Sequence, residues 1–148
     1  MKSRNFFVQT LFRATSDETL TSDERLHLAV TAIEAILATK SIYEKFKQAN
    51  PDLEIEESKE FTLDAEDEAG NTPLIFAINN GYIEIVRLLL EAKANPEIAN
   101  ETGGRPLTVA AFKGDTDIID LLLKAGANPQ APNEQTGKTP LINPQGQI

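Results

Sequence analysis

Apolar residues in the middle of the chain fall into two groups separated by the polar segment Asn79-Asn80-Gly81. The first group has the i, i+3, i+4 spacing of a short amphipathic helix, and the second is apolar over most of a helical circumference. The groups consist of Leu74, Ala77 and Ile78, and of Ile85, Val86, Leu88, Leu89 and Leu90. The second helix must therefore be covered on more than one side. Asn, Pro and Gly are frequent in residues 93–104, which predicts a turn and an extended finger leading to the next unit.

This unit of helix, turn, helix and finger returns after 33 residues, because Ala-Asn-Pro occurs at residues 94–96 and again at residues 127–129. Positions between the two copies repeat in step. The matched pairs are Pro73 and Pro106, Leu74 and Leu107, Ala77 and Ala110, Gly81 and Gly114, and Leu88–Leu90 and Leu121–Leu123. A fixed interval of this length is typical of a stacked repeat array, in which no unit buries its apolar face alone. Function is therefore expected on surfaces and not in a cleft.

A family resemblance is carried by two segments, Asp-Glu-Ala-Gly-Asn-Thr-Pro-Leu at 67–74 and Gly-Tyr-Ile-Glu-Ile-Val-Arg-Leu-Leu-Leu at 81–90, which together resemble an ankyrin repeat. Residues 103–128 resemble a second repeat, with Arg-Pro-Leu in place of Thr-Pro-Leu. The resemblance covers residues 64–142. It implies an all-α fold, a short ankyrin-type α-solenoid of helix-turn-helix repeats with finger loops. It also implies a protein-protein interaction module that is not an enzyme and needs no cofactor.

Two departures from the ankyrin pattern affect the expected contacts. The histidine that usually follows Thr-Pro-Leu and hydrogen-bonds between neighbouring units is replaced by Ile75 and Thr108, so that bonding network is not assured here. Lys93 stands where the family usually has a glycine with positive φ, whereas Gly126 keeps the glycine. A lysine there implies strain of about 1 kcal/mol or a loop that bends differently.

Two repeats and a fraction are too few to bury a continuous core, for which about three are needed, so a helical N-terminal cap is expected in residues 1–63. Thr21 and Glu24 have the spacing of a capping box. Apolar residues with a helical period follow at Leu26, Ala29, Val30, Ile33, Ile36 and Leu37. The stripe continues through Ile42, Tyr43 and Phe46, either in the same helix or after a break near Lys40-Ser41.

Two interpretations of this cap remain open. Residues 22–55 form either a degenerate, lengthened repeat, since Arg25 to Val30 resembles the start of a unit, or an unrelated helical hairpin. In both cases they stack on the first clear repeat. Ahead of them, Phe6, Phe7, Leu11 and Phe12 predict a further short amphipathic helix packed against the cap.

The chain is predicted to be a single domain, 1–148, with repeats at 64–99 and 100–132 and a truncated repeat at 133–148. Pro144 and Gly146 prevent a second helix in this last unit. The outer face of the second repeat then needs a cover. That cover is the tail itself, with Leu141 and Ile142 as plugs, or another chain, unless the sequence is shortened from a longer array.

Composition narrows the class of protein. The 148 residues are 41% hydrophobic and contain neither an apolar run long enough to cross a membrane nor a signal-peptide pattern, so a cytoplasmic protein without a membrane span is expected. Zero cysteines exclude disulfides, thiol catalysis and thiolate metal sites.

Most of the net charge of −9 belongs to residues 52–68, which hold nine acids and one lysine. This acidic segment is either a solvated linker or a docking strip that steers a basic partner. A calcium loop fits poorly, because Gly70 comes one residue late for an EF-hand and no closing glutamate follows. Nucleic-acid binding is not expected, since no basic patch is present.

Catalytic motifs are lacking. His27 is the sole histidine and lies in a predicted helix, and the chain holds no Gly-x-Ser-x-Gly nucleophile motif. The glycines near Arg105 and Lys138 do not complete a phosphate-binding loop. No catalytic residue, metal site or cofactor is therefore predicted.

The ankyrin pattern assigns partner contacts to variable positions of the fingers and first helices, on a concave face. These positions are Glu68, Ala69, Asn71, Asn79, Asn80, Glu101, Thr102, Gly104, Phe112 and Lys113. Phe112 is either an aromatic anchor for a partner or a filler of a gap against the neighbouring helix. The alternative function is a scaffold for self-assembly, or for a larger complex, through the open C-terminal end. A monomer or weak self-association is expected, and the Asn-Pro turns suggest by analogy a bacterial protein, with a host-directed effector as one role.

Overall fold

The computed structural model describes residues 5–52 and 62–130. Within these residues it contains six α-helices and no strand. The helices are α1 (Phe6–Ser16), α2 (Ser22–Ala49), α3 (Pro73–Asn79), α4 (Ile83–Glu91), α5 (Pro106–Lys113) and α6 (Thr116–Lys124). Predictions for the acidic residues 53–61 and for the tail, including Leu141 and Ile142, lie outside the described residues.

The six helices form three consecutive pairs that stack in two rows. The first-helix row consists of α1, α3 and α5, and the second-helix row consists of α2, α4 and α6, with each helix packed on the next in its row. A single apolar cluster runs through all three pairs, from Val8 to Ala127. This arrangement confirms the predicted all-α solenoid, in which each pair buries its apolar face against its neighbours.

The N-terminal pair differs from both interpretations of the cap in its boundaries. Residues 22–49 form one continuous helix through Lys40-Ser41, so no turn divides this stretch into two helices. The helix is unbroken because this stretch holds neither glycine nor proline. Instead, α1 and α2 form a helical hairpin, and α1 occupies the first-helix row. The predicted capping box is present, because the Thr21 hydroxyl accepts from the Glu24 N–H (3.2 Å) and Glu24 Oε1 accepts from the Thr21 N–H (3.1 Å).

Polar contacts fasten this hairpin to the first repeat. The Arg25 side chain is buried, donates to the Ala14 carbonyl (2.9 Å) and the Leu20 carbonyl (3.2 Å), and lies 3.9 Å above the centre of the Tyr82 ring. Asn80 Nδ2 donates to the Thr15 carbonyl (2.9 Å). The hairpin therefore acts as a fitted end unit and not as a loosely attached helix pair.

Local sequence explains the boundaries of the repeat helices. Pro73 and Pro106 begin α3 and α5, where a missing N–H is tolerated. Gly114 ends α5 with φ of 71°. Lys93 has φ of 70°, which confirms the positive φ expected at the glycine position of the family, while its counterpart Gly126 has φ of 92°. The lysine therefore occupies a left-handed conformation that costs a residue with a Cβ about 1 kcal/mol.

The helix α2 is also long and apolar enough to span a membrane when only length and composition are considered. One such helix near the N-terminus is weak evidence for a span. Four of its apolar residues, Ala29, Ala32, Ile33 and Ile36, belong to the core cluster of the helix stack. The helix therefore contributes to the core of the stack.

Candidate protein-binding surface

The two finger loops are tight hairpin turns with exposed tips. In the first finger the Asp67 N–H donates to the Asn71 carbonyl (3.0 Å), and in the second the Asn100 N–H donates to the Gly104 carbonyl (3.0 Å). The tips lie inside these turns. We call Glu68, Ala69, Glu101 and Thr102 the finger tips, and all four are exposed. The tips of the two fingers lie close together in space, because the Glu101 N–H donates to the Ala69 carbonyl (3.0 Å).

Close approach of the two fingers depends on Gly70. Its φ of 75° lies in the left-handed region, and a Cβ at this position would meet the Glu101 nitrogen at 3.0 Å and the Asn100 Cα at 3.2 Å. Both neighbours are backbone atoms that cannot rotate away. Glycine is therefore needed here for the turn and for the contact between fingers.

The predicted residues on the first helices differ in exposure. Asn79 and Lys113 are exposed, and Phe112 is 89% exposed. An aromatic ring that is so exposed does not fill a gap against a neighbouring helix, so the packed alternative for Phe112 is wrong. The ring is instead available on the surface of α5.

Three other residues that were predicted to contact a partner instead make contacts within the stack. Asn71 is half-buried, and its Oδ1 accepts from Asn100 Nδ2 (3.0 Å), which links the two fingers. Asn80 joins α3 to α1 as described above. Gly104 is buried, and its N–H donates to Asn100 Oδ1 (2.9 Å). Sequence position alone cannot separate these residues from exposed ones, because the same amide side chains serve turns and surfaces equally well.

An apolar stripe along the first-helix row was not predicted. Phe12 of α1 and Phe76 of α3 contact edge to face with their ring centres 6.0 Å apart, and both are half-buried. Val109 of α5 lies 33 residues after Phe76 and is also half-buried. Phe112 follows one turn later on the same side of α5. We call Phe12, Phe76, Val109 and Phe112 the first-helix stripe. The 33-residue interval could have revealed Val109 from Phe76, but the place of Phe12 required the packing of α1.

Carboxylates near the fingers divide into two kinds. Asp67 Oδ1 accepts from the N–H groups of Ala69 (2.9 Å) and Asn71 (2.8 Å), so this acid shapes the first finger. Glu66 is exposed, as are the glutamates of the finger tips. Among residues 5–52 and 62–130, no group of three potential metal ligands was found. Exposed carboxylates are therefore present on both fingers.

A family model described as ankyrin repeats (3 copies) matches residues 26–133. The chain belongs to the ankyrin repeat family. Ankyrin repeats are generally protein-protein interaction modules and are typically non-catalytic. A search of curated proteins found no significant match. The family match begins inside α2, so α1 lies outside it although this ankyrin stack uses α1 as the first helix of its end pair.

In this ankyrin protein the two positions of the missing histidine make no bond between units among the described residues, and other hydrogen bonds join the segments at the two ends of each helix pair. Ile75 is buried, and the Thr108 hydroxyl bonds to the Arg105 backbone within the first turn of α5. Asp64 Oδ1 accepts from the Asn95 N–H (2.8 Å), and one period later Glu97 Oε1 accepts from the Asn128 N–H (2.7 Å). We call these two contacts the acid links. Each acid link joins the segment ahead of a helix pair to the loop that follows the same pair.

Proposed function

We propose that this ankyrin-repeat protein binds a partner protein through the finger tips and the first-helix stripe, on the concave face of the stack. The observation that carries the proposal is the 89% exposure of Phe112 beside the half-buried Val109. A large apolar side chain left in water is costly, whereas an aromatic anchor that is covered by a partner concentrates binding energy.

The charges of this surface indicate the chemistry of the partner. Glu68 and Glu101 are exposed at the finger tips, and the whole chain carries a net charge of −9. A basic segment is attracted by such a field and is orientated by it during encounter. The partner segment is therefore expected to combine lysines or arginines, which face the finger tips, with an apolar side chain that covers Phe112.

A quantitative capture experiment tests this proposal. The full chain is immobilised as wild type, as Phe112→Ala and as the control Arg87→Ala, and proteins retained from a lysate of the source cells are compared. Arg87 lies on α4 in the second-helix row, where it pairs with Glu84 on the surface. A specific partner should be lost with Phe112→Ala, with affinity at least tenfold weaker, and should be kept by the control. Thermal unfolding of all three chains should agree closely, because both side chains are exposed.

Salt dependence supplies a second readout. Affinity for the captured partner should fall as ionic strength rises, and Glu101→Lys should reduce both the affinity and its salt dependence. Capture that is insensitive to Phe112→Ala but is abolished by Arg87→Ala would place the partner on the second-helix row and overturn the proposal.

The second repeat gives less support to the scaffold alternative than to partner binding through the finger tips and the first-helix stripe. The outer face of the second repeat was expected to need a cover, but Ile118, Ile119 and Leu122 of its second helix, α6, are all fully buried. Only Leu121 and Leu123 of that run are partly exposed. The burial of α6 therefore does not favour self-assembly through the C-terminal end.

A further inference from the structure

The second helix of the N-terminal hairpin is much longer than its counterparts. α2 has 28 residues, whereas α4 and α6 have nine each. At 1.5 Å per residue, α2 is about 42 Å long and the others are about 14 Å long. The buried side chains of α2 all lie between Arg25 and Ile36. Its last thirteen residues, 37–49, therefore extend along the molecule without entering the core.

This distal part of α2 carries an exposed apolar seam. Ile42 is 70% exposed and Phe46 is 51% exposed, and together with two exposed alanines they recur at intervals of four, four and three residues. We call this set the α2 seam, and it consists of Ala38, Ile42, Phe46 and Ala49. Such spacing places residues along one side of a helix and is the spacing by which two helices pair. At about 100° per residue, Ile42 is turned roughly 120° away from the buried Ile36, so the seam does not face the core.

We propose that the α2 seam pairs in an antiparallel manner with the α2 seam of a second copy of this chain. Shape complementarity supports this occupant. When Ile42 of one copy lies opposite Ala38 of the second copy, two-fold symmetry also places Ala38 opposite Ile42. Ile42 of each copy then meets the small Ala38 of the other, which allows close approach of the two helices at the two-fold axis. The inference is independent of the partner-binding surface, which lies on the first-helix row.

Charge complementarity selects the same register. Glu34 and Lys45 are exposed and lie on one edge of the α2 seam. In the antiparallel register set by Ile42 and Ala38, Glu34 comes within one residue of the level of Lys45 of the second copy, and symmetry creates this pair twice. A parallel pair in register would instead place the two copies of Glu34 on opposite edges of the interface, and likewise the two copies of Lys45, so neither pair of unlike charges would form.

Sedimentation of the full chain over a range of concentrations is the first test. The wild type should form a dimer at micromolar concentrations, and Ile42→Glu should raise the dissociation constant at least tenfold. Lys40→Glu is the control, because Lys40 is exposed on the opposite side of α2 and its reversal should leave the dimer unchanged. Helix content and thermal unfolding should be the same in all three chains. A wild type that stays monomeric into the high micromolar range overturns the proposal.

Charge reversal tests the register. Glu34→Lys and Lys45→Glu should each weaken the dimer by about tenfold, because each creates two repulsive pairs. The double variant Glu34→Lys/Lys45→Glu should regain most of the wild-type affinity. A dimer that responds to neither single change, or that the double variant fails to restore, contradicts pairing through the α2 seam.

Cross-linking tests the direction of the pair, and the natural absence of cysteine makes it clean. Chains carrying Ala38→Cys and chains carrying Ile42→Cys are oxidised separately and as a mixture. Antiparallel pairing predicts rapid disulfides between the two kinds of chain and few within either kind, whereas parallel pairing predicts the reverse. Binding to phosphatidylcholine vesicles by a monomeric wild type, with loss on Ile42→Glu, would show that the seam meets a lipid surface and would overturn the proposal.

Discussion

Removal of the Arg25 side-chain charge should strongly destabilise the stack, because this buried guanidinium of α2 contacts α1, the loop between α1 and α2, and the start of α4. It bonds to the end of α1 through the Ala14 carbonyl, to the α1–α2 loop through the Leu20 carbonyl, and to the start of α4 through the Tyr82 ring. Arg25→Met keeps an unbranched stem of similar length and removes the donors and the charge.

The magnitude follows from the three contacts. Two hydrogen bonds from a charged donor contribute about 1.5 kcal/mol each at the lower end of their range, and a shielded cation–π contact contributes about 1 kcal/mol. Removal of a buried charge returns part of this total, because its desolvation is no longer required. A net loss of about 3 kcal/mol is therefore expected, which is a large fraction of the stability of a small domain.

Urea unfolding of the full chain, followed by circular dichroism, measures this loss. Arg87→Met is the matched control, because Arg87 makes only a surface ion pair with Glu84 and should change stability by less than about 1 kcal/mol. The same unfolding free energy for Arg25→Met and wild type, within about 1 kcal/mol, would refute the view that Arg25 fastens the hairpin to the first repeat. A broader transition in the variant would indicate that the hairpin unfolds before the repeats.

Two further outcomes are expected. Lys93→Gly should raise the free energy of unfolding by about 0.5–1 kcal/mol in urea, since it relieves a φ of 70°, and a lower stability would contradict the strain. Hydrogen bonds from the Thr21 backbone and side chain lower the pKa of Glu24 below its ordinary value of 4.5. This carboxylate therefore contributes stability that is complete above about pH 4.5 and is lost as the pH falls through the lowered folded-state pKa. Wild type should exceed Glu24→Gln in stability at pH 6, and the difference should shrink in thermal melts as the pH is lowered below 4.5; a difference that does not change with pH would contradict the linkage.

The sequence predicted the repeat helices well because period and local chemistry agree. Pro73 and Pro106 can begin a helix but cannot lie within one, and the 33-residue interval aligns the two units without ambiguity. The capping box at Thr21 was predictable for the same reason, since both of its bonds form within four residues.

The arrangement of the N-terminal hairpin required tertiary contacts. Nothing local in α1 indicates that Phe12 will meet Phe76, because the two rings are 64 positions apart in sequence. Residues 25–30 resemble the start of a repeat, which suggested that they belong to the first helix of a unit. Because no helix breaker follows them, they instead belong to the long second helix, α2. Burial separated the binding candidates in the same way, since it distinguishes Gly104 from the exposed Glu101 only after the finger has folded.

The acid links have a consequence for how this array can grow. In each link the acceptor is a side chain, Asp64 or Glu97, ahead of a helix pair, while the donor is a main-chain N–H in the loop after that same pair. Every residue except proline offers that N–H, so the donor position is free to vary without loss of the bond. Duplication of a unit then needs no paired substitution in its neighbour, only an acid of suitable reach at its own start. The joint is thus inherited whole with each unit, which permits the number of repeats to change while each acid link is kept.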